Sequence, residues 1–107
     1  MSGSYQIQEN DKGQFSFALL AGNRETILRS EQYETKAAAE NGIRSVQKNS
    51  GVDERYDRKD AADGRFYFNL KAANHQVIGT SQMYASAQTR DGGIESVKAN
   101  GPGAALV

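Results

Sequence analysis

The stretch FYFNLKAANHQVIGTS, residues 66–81, has a near-copy earlier in the chain, FSFALLAGNRETILRS at residues 15–30. The offset is 66 − 15 = 51 residues, and it holds without a gap from residues 5–49 onto 56–100. Under it Tyr5 falls on Tyr56, Phe15 on Phe66, Phe17 on Phe68, Leu19 on Leu70, Asn23 on Asn74 and Ile27 on Ile78. The register continues through Ser30/Ser81, Tyr33/Tyr84, Gly42/Gly93, Ile43/Ile94, Val46/Val97 and Asn49/Asn100. Chance does not give such a run without one insertion. The chain is therefore a tandem duplication, and a unit this small cannot cover its own hydrophobic face.

Each unit reads in the same way. Phe66, Phe68 and Leu70 alternate with Tyr67, Asn69 and Lys71, which is the period of a strand with its aromatic face turned inward. AGNR and AANH mark hairpin turns, because Asn tolerates the left-handed backbone such turns need. ETILRS and QVIGTS are the returning strands, with Ile27 and Ile78 on the core side. A shorter strand precedes each hairpin, SYQIQ in the first unit and ERYDRK in the second. A helix follows, with Thr35 and Ser86 as N-caps. Ala39, Gly42, Ile43 and Val46 make its inner stripe, matched by Arg90, Gly93, Ile94 and Val97. A helical Gly costs about 1 kcal/mol relative to Ala, so its recurrence on the inner stripe implies a close approach of helix to sheet. Gly92 beside Gly93 predicts a weaker second helix.

The expected fold is α+β: a β-β-β-α unit twice, sharing one antiparallel sheet with two helices on one face. Residues 1–107 then form one domain of two repeats, about 5–50 and 56–101, and GAALV leaves 102–107 as a loose tail.

These residues resemble a known family. KGQFSFALLAGNRETILRSEQY with AENGIRSVQKNS, and DGRFYFNLKAANHQVIGTSQMY with GGIESVKANG, are similar to the two repeats of the YegP-like family of small bacterial proteins. The likeness spans nearly the whole chain. It departs at Arg24 and His75, where Gly often follows the turn Asn, and at Gly92, where Asn is commoner. The resemblance implies the duplicated fold and brings no activity, ligand or catalytic residue.

Composition narrows the function classes. Of 107 residues, 13 are Lys or Arg and 13 are Asp or Glu, so the chain lacks the net positive charge that grips polyanions. It has no Cys, which removes disulfides and thiolate metal sites and suits a cytoplasmic setting. We expect no secretory signal in MSGSYQIQ and no membrane span.

No catalytic constellation stands out, and we expect a protein that is not an enzyme, with no cofactor and no metal. His75 is the only histidine and sits at a hairpin tip without the partners a base or a metal site needs. Ser30 with Tyr33, and Ser81 with Tyr84, read as structural: the Ser bonds loop backbone and the Tyr packs over the strand–helix junction. GRFYFNL resembles the aromatic strand of an RNA-recognition sheet, but Phe66 and Phe68 share parity with Leu70 and belong to the core. Outward parity leaves Ser16, Ala18 and Leu20 in the first unit, with Leu28 as a further outward candidate, and Tyr67, Asn69 and Lys71 in the second. Two readings stay open. One is a non-catalytic interaction or structural module, contacting a protein partner or a second copy through the open sheet face or a sheet edge. The other is a binder of a small ligand or single-stranded nucleic acid. Candidate binding residues are Leu20, Tyr67, Asn69 and Lys71.

Overall fold

Alternation of aromatic and polar residues places Phe17 and Leu19 on one face of a strand, and the computed structural model, which describes residues 3–106, shows what that face meets. β1 (Ser4–Glu9), β2 (Phe15–Leu20) and β3 (Thr26–Arg29) form a meander, followed by helix α1 (Lys36–Asn49). The second unit repeats it with β4 (Tyr56–Asp60), β5 (Phe66–Lys71), β6 (Val77–Thr80) and helix α2 (Ala87–Asn100). Glu54 and Arg55, read as strand in the sequence, belong instead to a short 3-10 turn over Asp53–Arg55.

The seven strands form one sheet in the order β4-β5-β6-β3-β2-β1-β7. The two meanders meet in the middle, where β3 and β6 are antiparallel and Arg29 faces Thr80. The α+β duplication is as expected, but the sheet is mixed rather than antiparallel. The tail read as loose supplies β7 (Ala105–Leu106), parallel to β1 through Ser4 and Tyr5. Two residues are too few to show a periodicity, yet Ala104 before them is buried. Val107 lies outside the described residues, as do Met1 and Ser2.

One core cluster holds the whole together. Tyr5, Phe17 and Leu19 of the first unit and Tyr56, Phe68 and Leu70 of the second lie in it with Ile43, Val46, Ile94 and Val97 of the helices. Both helices therefore cover the same face. Ile7 and Phe17 are cross-strand partners on that face, and Gln6 and Ala18 are partners on the other.

Parity fails at one place in each unit. Leu19 pairs with Leu28 but Leu20 pairs with Thr26, so Ile27 is an extra residue. Leu70 pairs with Gly79 and Lys71 with Val77, so Ile78 is its counterpart. The bulge brings two consecutive residues to the inner face. Leu28, expected outward, is fully buried in the core with Ile27. It occupies the space above Gly79, its own counterpart in the second unit, where an added Cβ would lie 2.6 Å from a Leu28 methyl.

The helical glycines have a specific neighbour. A Cβ at Gly42 would meet the Tyr33 hydroxyl at 2.6 Å, and one at Gly93 would meet that of Tyr84. Tyr33 is stacked on Phe17 with centroids 6.2 Å apart, so the ring is a spacer between helix and sheet. Ser30 and Ser81 act as read: their hydroxyls accept from the Phe17 and Phe68 amides and donate to the Glu31 and Gln82 carbonyls.

Both helices start where expected. The Thr35 side chain accepts from Ala38 N–H, and Ser86 with Thr89 forms a reciprocal box. The two helices have the same length, 14 residues, so the paired glycines do not shorten α2. Their C-terminal ends converge. Ser50 touches Gly101, which stands at the equivalent position of the second unit, and the Ser50 hydroxyl is buried with no hydrogen-bond partner.

Candidate functional site

The face of the sheet opposite the helices is where the sequence puts its candidate residues. One row of cross-strand neighbours runs Gln6, Ala18, Arg29, Thr80, Asn69, Asp57. Tyr67 and Lys71 lie to either side of Asn69 on β5, and Lys59 is the partner of Tyr67. This face has no helix over it, because α1 and α2 both join the core on the other side.

Its chemistry is largely self-satisfied. The Thr80 hydroxyl donates to the Asn69 side-chain oxygen at 2.8 Å. The Asp57 carboxylate lies 3.1 Å from the Lys71 ammonium and 3.2 Å from that of Lys59. The hydrogen bond from Lys71, helped by Lys59, holds the Asp57 carboxyl below its ordinary range. Two lysines that would otherwise offer a phosphate site are thus shared with a carboxylate.

The four candidates do not form a cluster. Tyr67, Asn69 and Lys71 line up on β5, whereas Leu20 is on β2, with β6 and β3 between. Three strand spacings separate them by about 14 Å. Leu20 has the outward parity expected of it, but only 8% of its surface is exposed. Its strand is interior, with Ser4 and Thr26 directly beside it. Leu20 is thus a packed residue and not the exposed half of a contact surface, which corrects its assignment as a binding residue.

Two cavities flank the sheet. One of about 260 Å³ lies at the junction of the units, between Arg29–Glu31 and Val77–Ser81. Val77 there is 39% exposed. The other, about 490 Å³, is on the helix side at the β1 edge and is lined by Ile7, Glu9, Phe15, Lys36 and Leu106. Sequence reading offered none of these five as a site residue. The signal was present: Ile7 stands where the second unit has Arg58.

Among the described residues no group of three or more His, Cys, Asp or Glu side chains is placed to hold a metal. His75 is exposed at its turn with φ 70°, and Arg24 has φ 68° at the equivalent position. Both take the left-handed backbone that favours Gly. Among the described residues no helix is long and apolar enough to cross a membrane.

These features define a tandemly duplicated α+β protein with one helix-covered and one uncovered sheet face. The chain belongs to the family described as a domain of unknown function, DUF1508, whose model matches twice, over residues 10–57 and 61–107. It is 59% identical over 101 residues to the UPF0339 protein YegP of Escherichia coli K12, covering 94% of this chain and 92% of that protein. It is 65% identical over 101 residues to the UPF0339 protein ACIAD0721 of Acinetobacter baylyi, covering 94% and 91%. The solution NMR structure of E. coli yegP, a protein of unknown function, is similar with a TM-score of 0.92 at 57% identity, over 99% of this chain and 91% of that one. That of UPF0339 protein SO3888 from Shewanella oneidensis gives 0.92 at 53% identity, over 99% and 90%.

Proposed function

We propose that this protein is a non-catalytic interaction module of the cytoplasm that contacts a protein partner through its uncovered sheet face. The observation that carries the reading is the placement of both helices on one side. It leaves side chains from six strands in one surface without a covering layer. The surface mixes Ala18, Tyr67, Asn69 and Thr80 with Arg29 and with Asp57, whose carboxylate is shared by Lys59 and Lys71. Such a surface suits a polar–apolar protein contact better than a polyanion, which draws its affinity from unpaired cations.

A photo-crosslinking residue placed singly at positions 29 and 67, with a control at Gln88 on the exposed side of α2, tests the reading in cell extract. Adducts of one mass at 29 and 67 and none at 88 support it. Adducts only at 88 overturn it. Repeating the capture across a salt series separates the alternatives: a single-stranded nucleic acid is lost steeply as salt rises, and a protein contact is not.

A further inference from the structure

The second unit contains a filled site whose counterpart in the first unit is empty of its central group. Arg90 on α2 is 8% exposed, and its guanidinium carbon lies 5.5 Å from the centre of the Phe66 ring. Its Nη1 is 3.8 Å from Asp60 Oδ1 and 3.5 Å from the Lys59 carbonyl, and its Nε is 3.2 Å from Asp91 Oδ1. A guanidinium with a ring on its face and acceptors at its edge is in a low-energy setting. Subtracting 51 residues, Phe66 becomes Phe15, Asp60 becomes Glu9, Asp91 becomes Glu40 and the Lys59 carbonyl becomes that of Gln8. The ring and the acceptor types are retained. Arg90 is lost, becoming Ala39, and Arg58, which also pairs with Asp91, becomes Ile7.

On this side of the fold lies the larger cavity, about 490 Å³, with Phe15 and Glu9 in its wall. Among the described residues Glu9 takes part in no ion pair. Lys36 also lines the cavity, but it is exposed at the first turn of α1. Beside the cavity, β7 pairs with β1 only at Ser4 and Tyr5. The outer edge of β1 from Gln6 to Glu9 therefore has no partner strand among the described residues. Sheet edges are commonly protected by charge. The opposite edge strand is so protected, YDRKD carrying four charges in β4, whereas SYQIQE of β1 carries one. An extended segment lying along Gln6–Glu9 would have the cavity beside it.

We propose that this cavity is the docking site for an arginine side chain presented by an extended segment of a partner polypeptide, its guanidinium stacked on Phe15 and paired with Glu9. The site is on the helix-covered side of the sheet, so it stands or falls independently of the open-face reading.

The test titrates isotope-labelled full-length protein with three blocked probes. These are an extended hexapeptide with one central Arg, the same peptide with neutral citrulline in its place, and blocked arginine alone. Saturable amide shifts centred on Ile7, Glu9, Phe15 and Ala39 are expected with the Arg peptide. Citrulline, or Glu9→Gln, should weaken binding about tenfold, the value of one charge-assisted hydrogen bond. Lys36→Ala should tighten it by removing a like charge. Ala39→Arg, which installs the second unit's own plug, should abolish it. If that variant does not fold, the citrulline peptide and Glu9→Gln still decide the matter. Equal binding of the citrulline and Arg peptides, no saturable binding of the Arg peptide, or shifts centred on Tyr67 and Asn69 would each overturn the site. Blocked arginine binding as tightly as the peptide would overturn the polypeptide source.

Discussion

The Tyr5 hydroxyl donates to the Gly101 carbonyl at 2.7 Å, joining the first strand to the end of the last helix. Tyr56 makes the equivalent bond, 2.6 Å, to the Ser50 carbonyl at the end of α1. Each bond satisfies a C-terminal helix carbonyl that lies inside the protein. Each also fixes the start of the first strand of a meander, β1 or β4, to a helix end.

Removing either hydroxyl should cost stability without changing shape. Tyr5→Phe and Tyr56→Phe each leave a buried carbonyl unpaired, an effect of about 1–3 kcal/mol. Urea denaturation followed by far-UV dichroism reads it as a lower midpoint at constant slope. An unchanged midpoint would mean that water replaces the hydroxyl.

The same two tyrosines predict an alkaline limit. Burial pushes both phenol groups well above their ordinary range. An acid whose folded pKa is raised stabilises the protein fully below its unfolded pKa, about 10 for Tyr. Stability should therefore be flat for these groups to about pH 10 and fall beyond it. Lys98, whose pKa is raised by Asp53, works in the same direction. The Tyr5→Phe/Tyr56→Phe double variant should show a shallower fall between pH 10 and 11, measured against wild type in parallel denaturation series.

Adjacent glycines in α2 should respond with opposite signs. Nothing lies within 4 Å of a Cβ at Gly92, so Gly92→Ala should stabilise by about 0.5–1 kcal/mol. Gly93→Ala drives a methyl into the Tyr84 hydroxyl and should destabilise by about 1–3 kcal/mol. Thermal melts of the two variants check the pair. A neutral Gly93→Ala would show that the Tyr84 ring can swing aside.

Phe68→Ala should cost about 3–5 kcal/mol, as truncation of a fully buried Phe does. Tyr67→Ala, one residue away on the uncovered face, should cost much less. Leu20→Lys should destabilise despite its outward parity, because Leu20 is packed. Chemical denaturation of the three variants ranks them, and a Tyr67→Ala worse than Phe68→Ala would invert the sheet.

Residues 1–52 expressed alone should not unfold cooperatively as a monomer. Their core positions, Tyr5, Leu19 and Leu28, pack in one cluster with Phe68, Leu70 and Val97 of the other unit. A sharp monomeric transition in that fragment would mean that the first unit is self-sufficient.

Much of the fold is legible because duplication reads each element twice. Strand parity, N-caps, helix stripe and helix ends all repeat at the same offset. What escaped was irregular. The bulges at Ile27 and Ile78 shift parity by one residue, and no periodicity reveals an inserted residue in a four-residue strand. β7 is two residues long and is set by pairing with β1, a contact distant in sequence. The candidate site fared unevenly. Tyr67, Asn69 and Lys71 do lie on the uncovered face, but that Lys71 shares Asp57 with Lys59 depends on strand register. The cavity at β1 was marked by differences between the units, Ala39 against Arg90 and Ile7 against Arg58. Attention to identities passes over such positions.

Leu28 resting on Gly79 has a consequence for the ancestry of the chain. Residues at equivalent positions that touch each other lie on the pseudo-dyad. In a dimer of identical single units, such a residue meets its own duplicate. Two leucines there would collide, and two glycines would leave a hole. Neither homodimer could encode a knob on one side and its socket on the other. Fusion of two gene copies removes that constraint, because each half can then mutate alone. Ser50 against Gly101 is a second mark of the same freedom. The asymmetry at the axis means that the two halves are no longer interchangeable.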